Sequence, residues 1–195
     1  INTNSLELYY QPQCRHDGTI IGAEALLRWN NPERGWVPPA EFIPLAEETG
    51  LIMPIGQWVF EQACRDLKQL DNQGKKSIRL AINVSPHQFR QNGFVDRLSE
   101  SIGQCSLVSQ RLELELTEGM LVADFSDVVD KMQALKALGV RFSIDDFGTG
   151  YSSLAYLKRL PLDILKVDQS FVADISTDPN DAAIVETIIS MAGHL

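Results

Sequence analysis

Residues 141–171 read RFSIDDFGTGYSSLAYLKRLPLDILKVDQSF. The run RFSI is apolar and alternating, which predicts a buried strand. Asp145 and Asp146 follow at once, and then the two glycines of FGTG. Neighbouring carboxylates repel and resist desolvation. At the end of a core strand they belong together only where water reaches them or something positive lies between them.

Working outward from this stretch, a rhythm emerges. SLELYYQPQ (5–13) and GTIIGAEALLRW (18–29) read as two strands joined at the turn signal Asp17-Gly18, so a hairpin is expected. PPAEFIPLAEETG (38–50) has a proline start, helical spacing and a glycine stop. The segment 53–74 is a longer amphipathic helix with Ile55, Trp58, Val59, Ala63, Leu67 and Leu70 on one face. Strand and helix then alternate: IRLAINVS (78–85) and GFVDRLSESIGQC (93–105), then RLELELTE (111–118) and DFSDVVDKMQALKALG (124–139). RFSIDDF is followed by a short helix in YSSLAYLKRL (151–160), and LDILKVDQSF (162–171), read as a strand, by a helix over 180–195. Such alternation means parallel strands with crossover helices. LAINV, ILKV and FSI read as apolar on both faces, as strands covered by helices should be. A doubly wound sheet and a closed (β/α)8 barrel both fit. The first usually carries a glycine-rich turn after its first strand. None is present here, which favours the barrel.

The chain has 195 residues, 44% of them apolar, enough for one domain with a real core. No run approaches the roughly 20 apolar residues of a membrane span. The sequence reads as ordinary domain from residue 1, so a leader peptide is not expected. A formal charge of −9 argues against non-specific binding to nucleic acid or to anionic membranes, so no DNA or RNA duplex is expected as a partner. Cys14, Cys64 and Cys105 are odd in number and far apart, which predicts free thiols in a cytoplasmic domain, not a disulfide framework or zinc site.

The proposed strands carry polar residues near their carboxyl ends: Glu24, Asn83, Glu115 with Glu118 beyond it, Asp145-Asp146, and Lys166 with Asp168. In a barrel that end carries the chemistry. The oxygen donors include no histidine or cysteine, which suits Mg²⁺ or Mn²⁺ better than zinc or copper. Asp145 would bridge two cations and Asp146 would hold the second. Glu113 shares a face with Glu115 and is read as a core acid or an opposite-rim residue, with no role assigned. Arg28 and Lys166 are the cations nearest the cluster, Arg28 being suited to gripping phosphate. His16, His87 and His194 are read as solvated, and the GTG turn as a loop able to move beside the site.

EALLRW (24–29) resembles the signature of EAL-domain cyclic di-GMP phosphodiesterases. YYQP (9–12), FIPLAEETGLI (42–52), INVSPHQF (82–89), LELELTE (112–118), SIDDFGTGYSSLAYL (143–157) and LPLDILKVDQSFV (160–172) are similar to that family too, in the same order. The resemblance implies a TIM-like (β/α)8 barrel with an antiparallel first strand, a single domain over 1–195, and hydrolysis of cyclic di-GMP to linear pGpG with two Mg²⁺ or Mn²⁺ ions. It implies metal ligands at Glu24, Asn83, Glu115, Asp145, Asp146 and Asp168, and a lysine engaging the attacking water at Lys166. Glu118 would steady the DFGTGYSSL loop, and Gln11, Leu26 and Arg28 would contact substrate. It also implies a homodimer through the 145–156 region and attached sensor or diguanylate-cyclase-like domains, in a parent that is free or membrane-anchored. The family continues for about two more β/α units of its eight, with an AEGVE-like motif and a later QG motif. Residues 1–195 are therefore expected to form a barrel incomplete at its carboxyl end, short of one glutamate. A receptor that binds cyclic di-GMP without cutting it, and a dimerising signalling domain, are the alternatives.

Overall fold

The computed structural model describes residues 5–105, 109–121, 124–150 and 154–194. Strands β1 (Leu6–Cys14) and β2 (Ile20–Asn31) form the expected antiparallel hairpin. Gly18 turns it at φ 81°, and the Asp17 carboxylate accepts the Thr19 N–H at 2.9 Å. Then follow β3 (Gly35–Val37), α1 (Pro39–Glu48) and α2 (Ile52–Asn72). Next come β4 (Arg79–Asn83), α3 (Pro86–Phe89), α4 (Phe94–Cys105), β5 (Leu112–Thr117) and α5 (Phe125–Ala137). The chain continues through β6 (Arg141–Phe147), α6 (Leu154–Leu157), β7 (Ile164–Val167), α7 (Gln169–Ala173) and α8 (Pro179–Ala192).

The sheet order is β1-β2-β4-β5-β6-β7, with β3 pairing to the far side of β2. From β2 onward these neighbours pair in parallel. Each strand lies beside the one before it, so the order never reverses. A doubly wound sheet requires such a reversal. Strands added in one direction wind a barrel wall, with helices outside.

One face of each central strand packs under the helices. Leu80, Ile82, Leu112, Leu114, Leu116, Phe142 and Ile144 are buried there in one cluster with Val59, Ala63 and Leu67 of α2 and Met132 and Leu135 of α5. Truncating a fully buried phenylalanine such as Phe142 would cost about 3–5 kcal/mol. The other face differs in part from the expectation of apolar residues on both sides. On β6 it carries the buried Ser143, whereas on β4 the buried Ala81 keeps to the expectation; on β5, for which none was made, it carries the buried Glu113 and Glu115. The reason is architectural: that face lines the barrel interior, where side chains of neighbouring strands meet and no helix packs.

Several local readings need correction. LDILKVDQSF is not one strand: β7 ends at Val167 and α7 begins at Gln169. The Asp168 carboxylate accepts the Ser170 N–H at 2.8 Å and so caps α7, which outweighs strand propensity. Strand β4 ends at Asn83, and SPHQF forms α3. There Ser85 and Gln88 make a reciprocal capping box, a signal present in the sequence. The helix in YSSLAYLKRL is only α6, and residues 151–153 lie outside the described residues. Cys14 is exposed and Cys64 buried, and neither is in a disulfide. None of the described helices is long and apolar enough to cross a membrane.

Candidate metal centre

Parallel register brings the strand ends together. Asn83 lies opposite Glu115, and Thr117 opposite Asp145. Carboxylate oxygens of Glu24, Glu115 and Asp145 all lie within 4.8 Å of one another. The Asn83 side-chain amide donates to Glu24 Oε1 at 2.8 Å. Lys166 Nζ reaches all three acids: Glu24 Oε2 at 3.0 Å, Glu115 Oε2 at 2.9 Å and Asp145 Oδ1 at 3.0 Å.

The electrostatics follow from three acids around one ammonium. Burial alone would lower the Lys166 pKa, but bonds and charge from Glu115 and Asp145 outweigh it and hold the ammonium well above its ordinary value. Burial likewise works against the charged form of Glu24, but Asn83 and Lys166 win and keep its carboxyl below the usual range. At Glu115 burial dominates. Lys166 opposes it only partly, and the charges of Glu24 and Asp145 add to it, so this carboxyl is pushed up to about 8. Glu115 Oε1 is buried with no hydrogen-bond partner. An acid surplus and an orphaned buried oxygen suit a hard divalent cation, and the donor set fits one.

Asp146 and Asp168 form a second, adjacent pair. The Asp146 carboxyl is raised by burial first, then by the Asp145 charge and by Asp168. Asp168 is lowered chiefly by its bonds to Ser170. Asp146 is one of two non-glycine residues with positive φ among the described residues, at 53°. Such conformations cluster at functional sites. Beyond it Glu118 Oε2 accepts the N–H groups of Gly148 at 3.2 Å and Gly150 at 3.1 Å. Position 148 needs its glycine, and a side chain at 150 would push the Glu118 carboxylate aside. Gly148 has φ 106°, and a Cβ on Gly150 would lie 2.8 Å from the Glu118 carboxyl carbon. The FGTG turn is thus tied down by an acid from the preceding strand's end.

Gln11 lies opposite Glu24 across the hairpin. Leu26 and Arg28 continue the same face of β2. Arg28 donates to the Leu27 carbonyl at 2.9 Å and lies 5.5 Å over the Tyr9 ring. Among the described residues it makes no ion pair. Glu113 is buried on the inward face, with Ala81 and Arg141 as its strand neighbours. Tyr9 and Trp36 lie beside Arg28; of the two, only Tyr9 carries a signal in the sequence, since it alternates with Gln11.

A family model described as the EAL domain matches residues 1–195. The chain is 43% identical to the bifunctional diguanylate cyclase/cyclic di-GMP phosphodiesterase MucR of Pseudomonas aeruginosa, over 100% of this chain and 29% of that protein. It is also 43% identical to the cyclic di-GMP phosphodiesterase NbdA of the same organism, over 100% of this chain and 25% of the other. The chain thus spans under a third of these curated relatives. Among solved structures, the PaMucR phosphodiesterase in complex with c-di-GMP superposes with a TM-score of 0.94 at 43% identity, over 99% of this chain and 78% of that one. That likeness accords with the TIM-like wall seen here.

Proposed function

The chain belongs to the EAL domain family, and from that premise we propose that it hydrolyses one phosphodiester bond of cyclic di-GMP to give linear pGpG. The observation that carries this reading is the Glu24, Glu115 and Asp145 cluster around Lys166 at the carboxyl ends of parallel strands. In the reaction the oxygen of water bonds to phosphorus, one phosphorus–oxygen bond breaks, and the leaving oxygen takes a proton.

Glu24, Asn83, Glu115 and Asp145 would hold one Mg²⁺ or Mn²⁺ ion, and Asp145, Asp146 and Asp168 a second. Asn83 presents its amide oxygen after half a turn of the amide. When bound, the metals would supply Lewis-acid polarisation of the phosphate and activation of water. The chain's own groups do the rest. Burial and its acid neighbours hold the Glu115 carboxyl up, so a cation bound there would compete with a proton. Lys166 stays charged and orients the attacking water. Glu118 holds the 148–150 turn beside Asp146. Gln11, Leu26 and Arg28 contact substrate, and the Arg28 guanidinium grips a phosphate oxygen. Attached sensor or cyclase-like domains, a homodimer through the 145–156 region and a cytoplasmic location belong to this reading. Residues 151–153 of that region lie outside the described residues.

Incubating the full-length protein with cyclic di-GMP and Mg²⁺ or Mn²⁺, with chromatography of the products, tests it. Accumulation of pGpG that stops on adding EDTA is expected. Binding without product under every metal condition would instead identify a receptor, and neither binding nor product would remove the nucleotide altogether.

A further inference from the structure

The parallel ladder between β2 and β4 runs only from Gly22 to Ala25. Beyond it β2 continues to Asn31, paired to β1 and β3. The hairpin therefore projects past the rim that holds the acidic cluster. Along it, Glu24, Leu26 and Arg28 share one face, since strand side chains alternate. Gln11 lies opposite Glu24, Tyr9 opposite Leu26, and Trp36 opposite Asn30, so these aromatics lie on that same face. Arg28 is four residues from Glu24, about 13 Å along the strand.

At this outer end the side chains form a platform. The Tyr9 and Trp36 rings meet edge to face, with centroids 5.8 Å apart. The Arg28 guanidinium covers Tyr9 at 5.5 Å. Both rings remain exposed, Tyr9 at 48% and Trp36 at 52%. They line a cavity of about 560 Å³ together with Arg28 and Pro39. Arg28 and Pro39 also line a second cavity, of about 310 Å³, which extends to Asn83 in the cluster. An open aromatic surface beside a cation thus lies on the face of the hairpin that carries Glu24.

We propose that Trp36, braced edge to face by Tyr9, forms a stacking platform for one purine base of the substrate, while its scissile phosphate lies at the acidic cluster. This rests on the cyclic dinucleotide reading above. Exposed aromatics beside arginine are what a nucleobase uses: its π-face stacks on the rings irrespective of hydrogen-bonding edge. Arg28 adds cation–π attraction and faces the phosphate side. Exposed rings suit the uncharged base, and the guanidinium beside them suits its phosphate.

The test is binding of the phosphorothioate analogue of cyclic di-GMP in Mg²⁺ by calorimetry, with wild type, Trp36→Ala, Trp36→Phe and Tyr9→Ala. Both residues are surface-exposed, and thermal melts of each variant check the fold. Trp36→Ala is expected to weaken binding about tenfold, within the range for loss of one base–aromatic stack. Trp36→Phe should restore most of it, with Mg²⁺ affinity unchanged throughout. Wild-type binding that both alanine variants retain would overturn the platform and leave the phosphodiesterase reading standing. Wild type that neither binds the analogue nor cleaves cyclic di-GMP would overturn both. A Trp36→Ala effect on sedimentation without one on affinity would make the rings an interface between copies, and would also overturn the platform.

Discussion

Two buried ionic groups in this molecule look alike in composition and differ in completeness. At the carboxyl end of α2, Arg111 pairs with Asp71. Its Nε donates to the Ile78 carbonyl at 2.7 Å, and Nη2 to the Lys75 carbonyl at 3.3 Å. One cation meets one anion, and the remaining donors find backbone oxygens that α2 and its loop would leave open. At the strand ends, Lys166 meets three acids and Glu115 Oε1 has no partner. A balanced, satisfied group holds the chain in place. A group with surplus charge and an orphaned oxygen is set up for something that arrives from outside. The four such orphaned atoms among the described residues, on Arg79, Glu115, Arg141 and Ser143, all belong to side chains on the inward face of the sheet.

The comparison breaks most sharply at Glu24. Glu24→Ala should reduce turnover by more than about 100-fold, beyond the cost of losing a supporting contact around a metal. Its stability cost should stay under about 1 kcal/mol, because one acid fewer relieves the cluster. Assay of pGpG formation beside a thermal melt reads both; a large drop in melting temperature without metal would make Glu24 a structural residue. Asp71→Ala should do the reverse. It leaves the Arg111 guanidinium buried and unpaired, at a cost of about 3 kcal/mol. Activity per folded molecule should be unchanged, as urea titration and kinetics on the same sample will show.

Lys166→Gln sharpens the contrast further. Without its internal cation the acid cluster should destabilise the metal-free protein by about 2 kcal/mol. Divalent metal should then raise the melting temperature more in the variant than in wild type. An equal metal-induced rise in both would mean that Lys166 does not balance the acids. The last effect is spread over several pH units. The Glu115 carboxyl rises from 4.5 to about 8 in the fold, so the folded state holds a proton that the unfolded chain has released. The stability this contributes is fully present below about 4.5 and is lost as pH rises through about 8. Metal-free melting temperatures should therefore fall across that window, and should fall less in Glu115→Gln.

Read from the sequence alone, the alternation of strand and helix was already legible, because hydrophobic period is a local property of the chain. So were the polar residues near the ends of β4, β5 and β6, but not the place of Glu24, because β2 runs on to Asn31 and Glu24 lies where its parallel pairing with β4 ends. The both-faces-apolar reading holds at Ala81 of β4 and departs at Ser143 of β6, because burial inside a barrel wall admits small polar side chains that burial under a helix does not. Asp168 was misread as strand because a single side-chain cap settles the local choice between strand and helix. Only the tertiary structure decided which charges meet. Lys166 lies 142 residues from Glu24 and 51 from Glu115, yet touches both. Alternation tells which side of its own strand a residue occupies. It does not tell which strand lies alongside or at what stagger, since that is set by hydrogen-bond register between strands. That register, and the hairpin running past the rim, turned separate acids into one cluster and brought Arg28, Tyr9 and Trp36 together on the face of the hairpin that carries Glu24.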